Sequence, residues 1–371
     1  MTSSMSTAVR AVESRPSPAS RLLGAFHGAL VSDALCLGSH YEYDAPTIKR
    51  ACGGGRIERY MSPGESMGGS THGVGWGRRN YHPGQKSGDQ TDYGEYNVLW
   101  LEYLAGRERK SSPIDLSDFI PRWRDRIAND WGAWVCTQTK LTLQQVAQGT
   151  TPLDRLGGNS NAMAIRSASA LSTYATEDEV AIASRTMSFT HANEEALAGG
   201  EFFTRVAWKV AHSDMTPGEA MDAVALTSGP WIRAQVRKGV DKFLEATDPS
   251  APLHHEEYVD DLAMTSMARL WDVGKTEPIK VGKASPTEGT LPSSVYIILK
   301  YADSYEDAVK ANAMVGGDNA SRAIAIGMVL GAYHGVEGIP PELLVGLNAF
   351  EKCDKLLREL PVVKSLLDKE L

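Results

Sequence analysis

The stretch Gly316–Gly317–Asp318–Asn319–Ala320–Ser321–Arg322 runs directly into an apolar segment from Ala323 to Gly335. Two glycines and an acceptor side chain ahead of a helix-forming run predict a tight turn with an N-cap at Asp318. Ile324, Ile326, Met328, Val329, Leu330 and Tyr333 put apolar side chains on every face of that helix, which assigns it to the inside of a large core. The turn therefore presents polar groups from the top of a buried helix. Taken alone, Asp318 reads either as a cap or as a site residue.

Outward from this turn the same design recurs. Arg21 to Leu37 is predicted as a helix of small and apolar residues, with Gly24 and Gly28 four apart for the close approach of another helix. Asp33 is an acid inside that apolar run. Gly38 to Asp44 follows, where Glu42 is a solvated loop charge or a site residue. Ser87–Gly88–Asp89–Gln90–Thr91–Asp92 leads into a helix from Tyr93 to Leu104, with Asp92 and Glu95 spaced as a capping box. Gly157 to Met163 opens a helix through Leu171. Phe189 to Asn193 separates helices Glu177–Met187 and one ending at Ala211, and its His191 either satisfies local hydrogen bonds or faces a ligand. Five polar turns at ends of apolar helices predict a shared pocket at one end of a bundle.

Almost no stretch alternates with period two, so the fold class is all-α, a single large helical domain over residues 21–371 after a disordered tail over 1–20. Phe119–Trp134, 217–247, 256–272, Val295–Tyr301 and Tyr305–Met314 supply further helices. Residues 275–292 read as a loop and 341–371 as a charged amphipathic end. The Gly-rich segment 53–90 carries His72, Trp76, Arg78, Arg79, Tyr81 and His82, a mixture that predicts an ordered flap over a site.

Composition narrows the partners. Hydrophobic residues make up 42% of the 371 and charged residues 23%, the balance of a soluble globular chain. A net charge of −8 with scattered Lys and Arg argues against a nucleic-acid surface. No window of about 18 apolar residues suggests a membrane span. Cys36, Cys52, Cys136 and Cys353 lack metal-type spacing and read as reduced thiols, which points to the cytoplasm, with organelle import by residues 1–20 left open.

In this order the turns resemble those of the ADP-ribosylglycohydrolase family, all-helical hydrolases that remove ADP-ribose from proteins and related acceptors. The likeness runs from about residue 21 to 347 and is strongest over 291–347, through Gly316–Gly317–Asp318 and Gly331–Ala332–Tyr333–His334–Gly335. The resemblance implies two Mg²⁺ ions held by paired acidic turns. Here Gly88–Asp89–Gln90–Thr91 keeps one acid and replaces the other by an amide. Asp318–Asn319–Ala320–Ser321 keeps the first acid, loses the second to Ala320 and has Ser for Thr. The implied ligands are Asp89, Thr91, Asp318 and Ser321, and losing half the carboxylates predicts one Mg²⁺ ion or none. Asp92 lies a helical step from the replaced position.

The resemblance further implies Glu42, Asp89 and Asp318 as catalytic groups for cleaving a ribosyl bond through an oxocarbenium-like state. Asn159, Asn161, His191, Trp76, Arg78 and His82 are the expected substrate-binding residues, with helix N-termini at 158–163 and 191–193 as seats for a diphosphate. The Asp89–Gln90–Thr91–Asp92–Tyr93–Gly94 form resembles the branch holding the jellyfish J-crystallins and selenoprotein J. The expected function is hydrolysis of an ADP-ribosyl or related N-glycosyl bond of a small-molecule or ADP-ribosyl substrate, with no oligomeric state assigned. The alternatives are a non-catalytic, crystallin-like binding or structural protein, or an enzyme of another reaction class in the same pocket.

Overall fold

The run quoted first forms α14, Asn319–His334, buried from Asn319 through Ala332. Against it packs α1, Pro18–Cys36, in a computed structural model that describes residues 15–67, 81–153, 156–267, 270–271 and 279–370. The two helices cross antiparallel, Gly24 against Gly331 and Gly28 against Gly327. A Cβ on Gly28 would stand 2.4 Å from the Gly327 carbonyl oxygen, and one on Gly331 would stand 2.1 Å from that of Gly24. The backbones touch because no side chain intervenes. This contact fixes the geometry of the site, since it sets the C-terminal end of α1 beside the N-terminal end of α14.

α1 starts at Pro18, with the Ser17 side chain accepting the Ser20 N–H, so the last three residues of the expected tail are helical. Contrary to the sequence expectation, Pro18–Ser39 is long and apolar enough to cross a membrane, with mean hydropathy 1.4, but it lies wholly inside the protein. It is the core helix.

The remaining elements wrap this pair in chain order: α2 Ala45–Ala51, α3 Asp92–Ala105, α4 Leu116–Asp125, α5 Thr137–Ala147, α6 Ala170–Thr173, α7 Glu177–Met187, α8 Glu194–His212, α9 Pro217–Thr227, α10 Pro230–Thr247, α11 Val259–Ser266, α12 Thr287–Lys300, α13 Tyr305–Val315, α15 Pro341–Val345, α16 Phe350–Arg358 and α17 Pro361–Glu370. The chain is all-α. Among the described residues the one ladder is a two-residue antiparallel pair, Leu270–Trp271 with Ile279–Lys280. One continuous apolar core runs through the helices.

Several boundaries differ from the sequence reading. Residues 217–247 are two helices, broken at Ser228–Gly229–Pro230, because Pro230 starts α10 at its first position. α12 begins at Thr287 and tolerates Pro292 inside it. Gly157 to Met163 does not open a helix. It runs extended, with Gly158 bridging His191 and Ala162 bridging Pro286, so its backbone groups bond across the pocket rather than along a helix. A diphosphate seat at a helix N-terminus over 158–163 is therefore excluded, whereas α8 does begin next to 191–193, capped by Asn193.

Candidate functional site

Asp33, the acid in the apolar run, is fully buried near the end of α1. Its carboxyl accepts the Thr91 N–H at 2.8 Å and the Thr91 hydroxyl at 2.6 Å. With its amide turned so that nitrogen faces these two acceptors, Gln90 donates to the Leu30 carbonyl at 3.2 Å and to Asp33 at 3.1 Å. Gly94 makes this fit possible: a Cβ there would lie 2.1 Å from the Gln90 amide and 2.4 Å from Asp33. Burial pushes the Asp33 carboxyl up to about 7, against the Thr91 hydrogen bonds, which favour the anion. Thr91 also caps α3 through the Tyr93 N–H, so Asp92 and Glu95 form no capping box and Glu95 pairs with Arg126 instead.

Asp318 caps α14 as expected, accepting the Ser321 N–H at 3.3 Å. Its other oxygen accepts the Tyr93 hydroxyl at 2.9 Å and the Ser285 hydroxyl at 2.5 Å. The turn is clamped from below by Arg322, fully buried, which donates to Asn312 Oδ1 at 2.9 Å and to the Gly316 carbonyl at 2.6 Å. Gly317 adopts φ +67°, and its carbonyl accepts the Tyr41 N–H at 2.8 Å while its N–H donates to the Glu42 carbonyl at 2.6 Å. These bonds stitch the 38–44 turn to the 316–322 turn.

The same turns enclose a cavity of about 240 Å³ lined by Tyr41, Tyr43, Asp92, Tyr93, Trp134, Cys136, Gln138, Ser160, Asn161, Arg166, His191 and Ser285, among others. The pocket expected from the five turns is present: four line it, and the fifth reaches it through the Asp318 bonds to Tyr93 and Ser285. Tyr41 takes φ +64°, a conformation that costs a non-glycine residue free energy and is tolerated where neighbours over-determine it. It sends Tyr41 and Tyr43 to the cavity wall and leaves Glu42 off it. Tyr81, the first described residue after Met67, packs its ring 4.8 Å from Tyr41 and 5.1 Å from Trp134. A larger cleft of about 460 Å³ between α8 and α10 contains none of the turn acids, and its arginines Arg185 and Arg205 are paired with Glu194 and Glu201.

Asp92 is the carboxyl that meets the cavity. It is buried, its Oδ1 has no hydrogen-bond partner, and burial followed by the charges of Asp318 and Asp33 holds it well above the usual carboxylate range. Arg166 lines the same cavity, its guanidinium 3.9 Å over the Tyr96 ring and bonded to the Thr190 hydroxyl. His191 accepts or donates at 3.0 Å with that hydroxyl and is held neutral, its ring pushed down to about 3 by burial and then by Arg166.

The residues expected from sequence divide accordingly. Asn161 and His191 line the pocket, Asp318 reaches it through Tyr93 and Ser285, and Thr91 is bonded to Asp33, off the cavity wall. Glu42 is buried but turns its carboxylate to the Asp44 N–H at 3.0 Å. Asp89 accepts the Lys86 N–H at 2.7 Å and Asn348 at 2.8 Å on the outer side of its loop. Asn159 is exposed and holds Asn193 at 3.2 Å. The Ser321 hydroxyl donates to the Asp318 carbonyl, and Ala320 is fully buried. His82 is buried beside His40, their rings 5.3 Å apart. Trp76 and Arg78, with residues 68–80 of the expected flap, lie outside the described residues. Sequence reasoning passed over Arg166 and Ser285, which stand in no recognisable turn. His40 was visible only as part of the 38–44 turn.

The sequence model of the ADP-ribosylglycohydrolase family matches residues 14–369, and the chain belongs to that family. A solved structure described as an ADP-ribosylglycohydrolase-related protein complex is similar at TM-score 0.62 and 18% identity, covering 92% of this chain and 97% of its own. At that identity the likeness speaks for the fold. No curated protein matches.

Proposed function

We propose that the chain hydrolyses a ribosyl bond of an ADP-ribosyl or related nucleoside-diphosphate substrate, with Asp92 as the acid at the scissile bond. The observation that carries this reading is the placement of Asp92: a buried carboxyl on the wall of an aromatic cavity, charged only at a cost because Asp318 and Asp33 lie close. Tyr41, Tyr43, Tyr93 and Trp134 offer flat apolar faces to a base or ribose, and Arg166 sets a positive charge behind them. As the bond from ribose C1 to the leaving atom breaks, Asp92 gives its proton to that atom. Water then adds to C1 and returns a proton to Asp92, which closes the cycle.

The residues present do not fit a two-Mg²⁺ centre. Asp89 faces outward, the hydroxyls of Thr91 and Ser321 are spent on Asp33 and on the Asp318 carbonyl, and Ala320 has no ligand atom. Tyr93 and Ser285 hydroxyls occupy the Asp318 oxygen that a hard cation would take. No step of the reaction is therefore routed through magnesium.

The test is release of free ADP-ribose from an ADP-ribosylated acceptor by the full chain, with calorimetry of ADP-ribose binding with and without Mg²⁺. Hydrolysis should fall roughly 10²- to 10⁴-fold in Asp92→Asn, the usual size of a lost acid, and under threefold in Asp89→Asn. Binding should not depend on Mg²⁺. Equal activity of Asp92→Asn and wild type would reject the assignment. The packing of Gln90 onto Asp33 and of Ala320 into the core favours a second reading, a crystallin-like binding protein akin to the J-crystallin and selenoprotein J branch. It predicts ADP-ribose binding without turnover.

A further inference from the structure

At the cavity wall, where Asp92 meets it, His40, His82 and Asp92 each offer one ligand atom, and these atoms lie within 4.8 Å of one another, all three residues being buried. Among the described residues no other such group occurs. His40 is held as a ligand would be. Its Nδ1 is 3.1 Å from Asn319 Oδ1, and the Asn319 amide is oriented by its own Nδ2, which donates to Ser39 Oγ at 2.9 Å and to the Ala313 carbonyl. Asn319 can only accept from His40, so Nδ1 carries the hydrogen and Nε2 presents a lone pair. That lone pair has no partner, and neither does Asp92 Oδ1. Leaving two buried polar atoms unpaired is unfavourable unless something sits between them.

We propose that His40, His82 and Asp92 bind one divalent first-row transition-metal ion of the zinc type. Two imidazoles and a carboxylate suit such an ion and not Mg²⁺ or Ca²⁺, which take oxygen ligands. Donors about 2.1 Å from one ion stand about 3.5 Å apart, so binding draws these three atoms together by up to about 1.3 Å. The Asn319 bond to His40 is the outer contact that fixes tautomer and ring orientation in such sites. Asp318 and Asp33, close enough to act electrically on Asp92, supply the remaining negative charge.

Chelator-treated full-length protein titrated with Co²⁺, read by ligand-field absorption, tests this. One Co²⁺ per chain should bind, be displaced by Zn²⁺ but not by Mg²⁺, and bind at least tenfold more weakly in His82→Asn and in Asp92→Asn. Circular dichroism identifies a variant that has lost its fold, in which case the other variant decides. Absence of Co²⁺ binding, unchanged affinity in a folded variant, or displacement by Mg²⁺ would overturn the site. No substrate is present, so this result and the hydrolysis assay fail independently.

Discussion

Asp33 shows what a single buried acid does to this protein. Its carboxyl rises from an ordinary 3.8 to about 7 on folding, mainly through burial. The folded chain therefore binds the proton more tightly than the unfolded one. The contribution is fully present below pH 3.8 and is lost as pH rises through about 7. The loss over that window is roughly 4 kcal/mol for a shift of this size. Asp33→Asn, which still accepts from Thr91, should lose less stability than wild type between pH 4 and pH 7 when both are unfolded in urea without metal. Parallel pH profiles would show that another group controls that window. The residue scale is also where sequence reading was weakest. Asp33 stood out because an acid inside an apolar run needs a reason, and Asp318 because it follows two glycines. Asp89 and Glu42 carried the same signal, yet a one-residue change in backbone direction, at Tyr41 for Glu42, turns a carboxylate from the pocket to its own loop.

At the scale of elements, most of the fold was legible, because apolar runs of 10 to 19 residues between polar turns leave few arrangements. The Gly24 and Gly28 spacing announced a helix contact, and its partner proved to be Gly327 and Gly331, some 300 residues away. What misled was the Gly157–Met163 segment. A Gly/Asn turn resembles a helix start in sequence, but here its N–H and C=O groups are taken by Ser285, Thr190 and Thr287 across the pocket, a pairing that no local pattern encodes. The α1–α14 crossing carries its own prediction. Gly28→Ala puts a Cβ 2.4 Å from a backbone oxygen, which cannot move aside like a flexible side chain. It should lower stability by about 3 kcal/mol or more and weaken ADP-ribose binding, since it separates the helix ends carrying Asp33 and Asp318. Gly132→Ala, with nothing within 4 Å, should stay within about 0.5 kcal/mol of wild type. Equal melting temperatures for the two variants would mean that the crossing adapts.

For the whole molecule, the C-terminal segment decides where the folding unit ends. Sequence reading saw a charged amphipathic end after residue 341, and the strongest likeness to the family stops at 347. The structure folds this end into the body. Leu343, Leu347, Cys353, Leu357, Leu360 and Val363 are buried in the common core, and α16 and α17 pack on α3, α6 and α1. Tyr60 donates to the Leu343 carbonyl at 2.7 Å, and Asn348 holds both the Ser87 carbonyl and Asp89, so the loop leading into α3 is anchored from the far end of the chain. Burying a side chain of this kind contributes about 1.5–3 kcal/mol. Losing six approaches the entire 5–15 kcal/mol by which a domain is stable. A chain ended after Pro340 should therefore fail to give a cooperative thermal transition and should not bind ADP-ribose, although it keeps every residue of the cavity. A truncated chain that melts cooperatively and binds as wild type would show that α15 to α17 are an appendage. The reason to expect otherwise is that Asp92 faces the cavity only if the loop before α3 is held, and Asn348 holds its outer end while Asp33 holds Thr91.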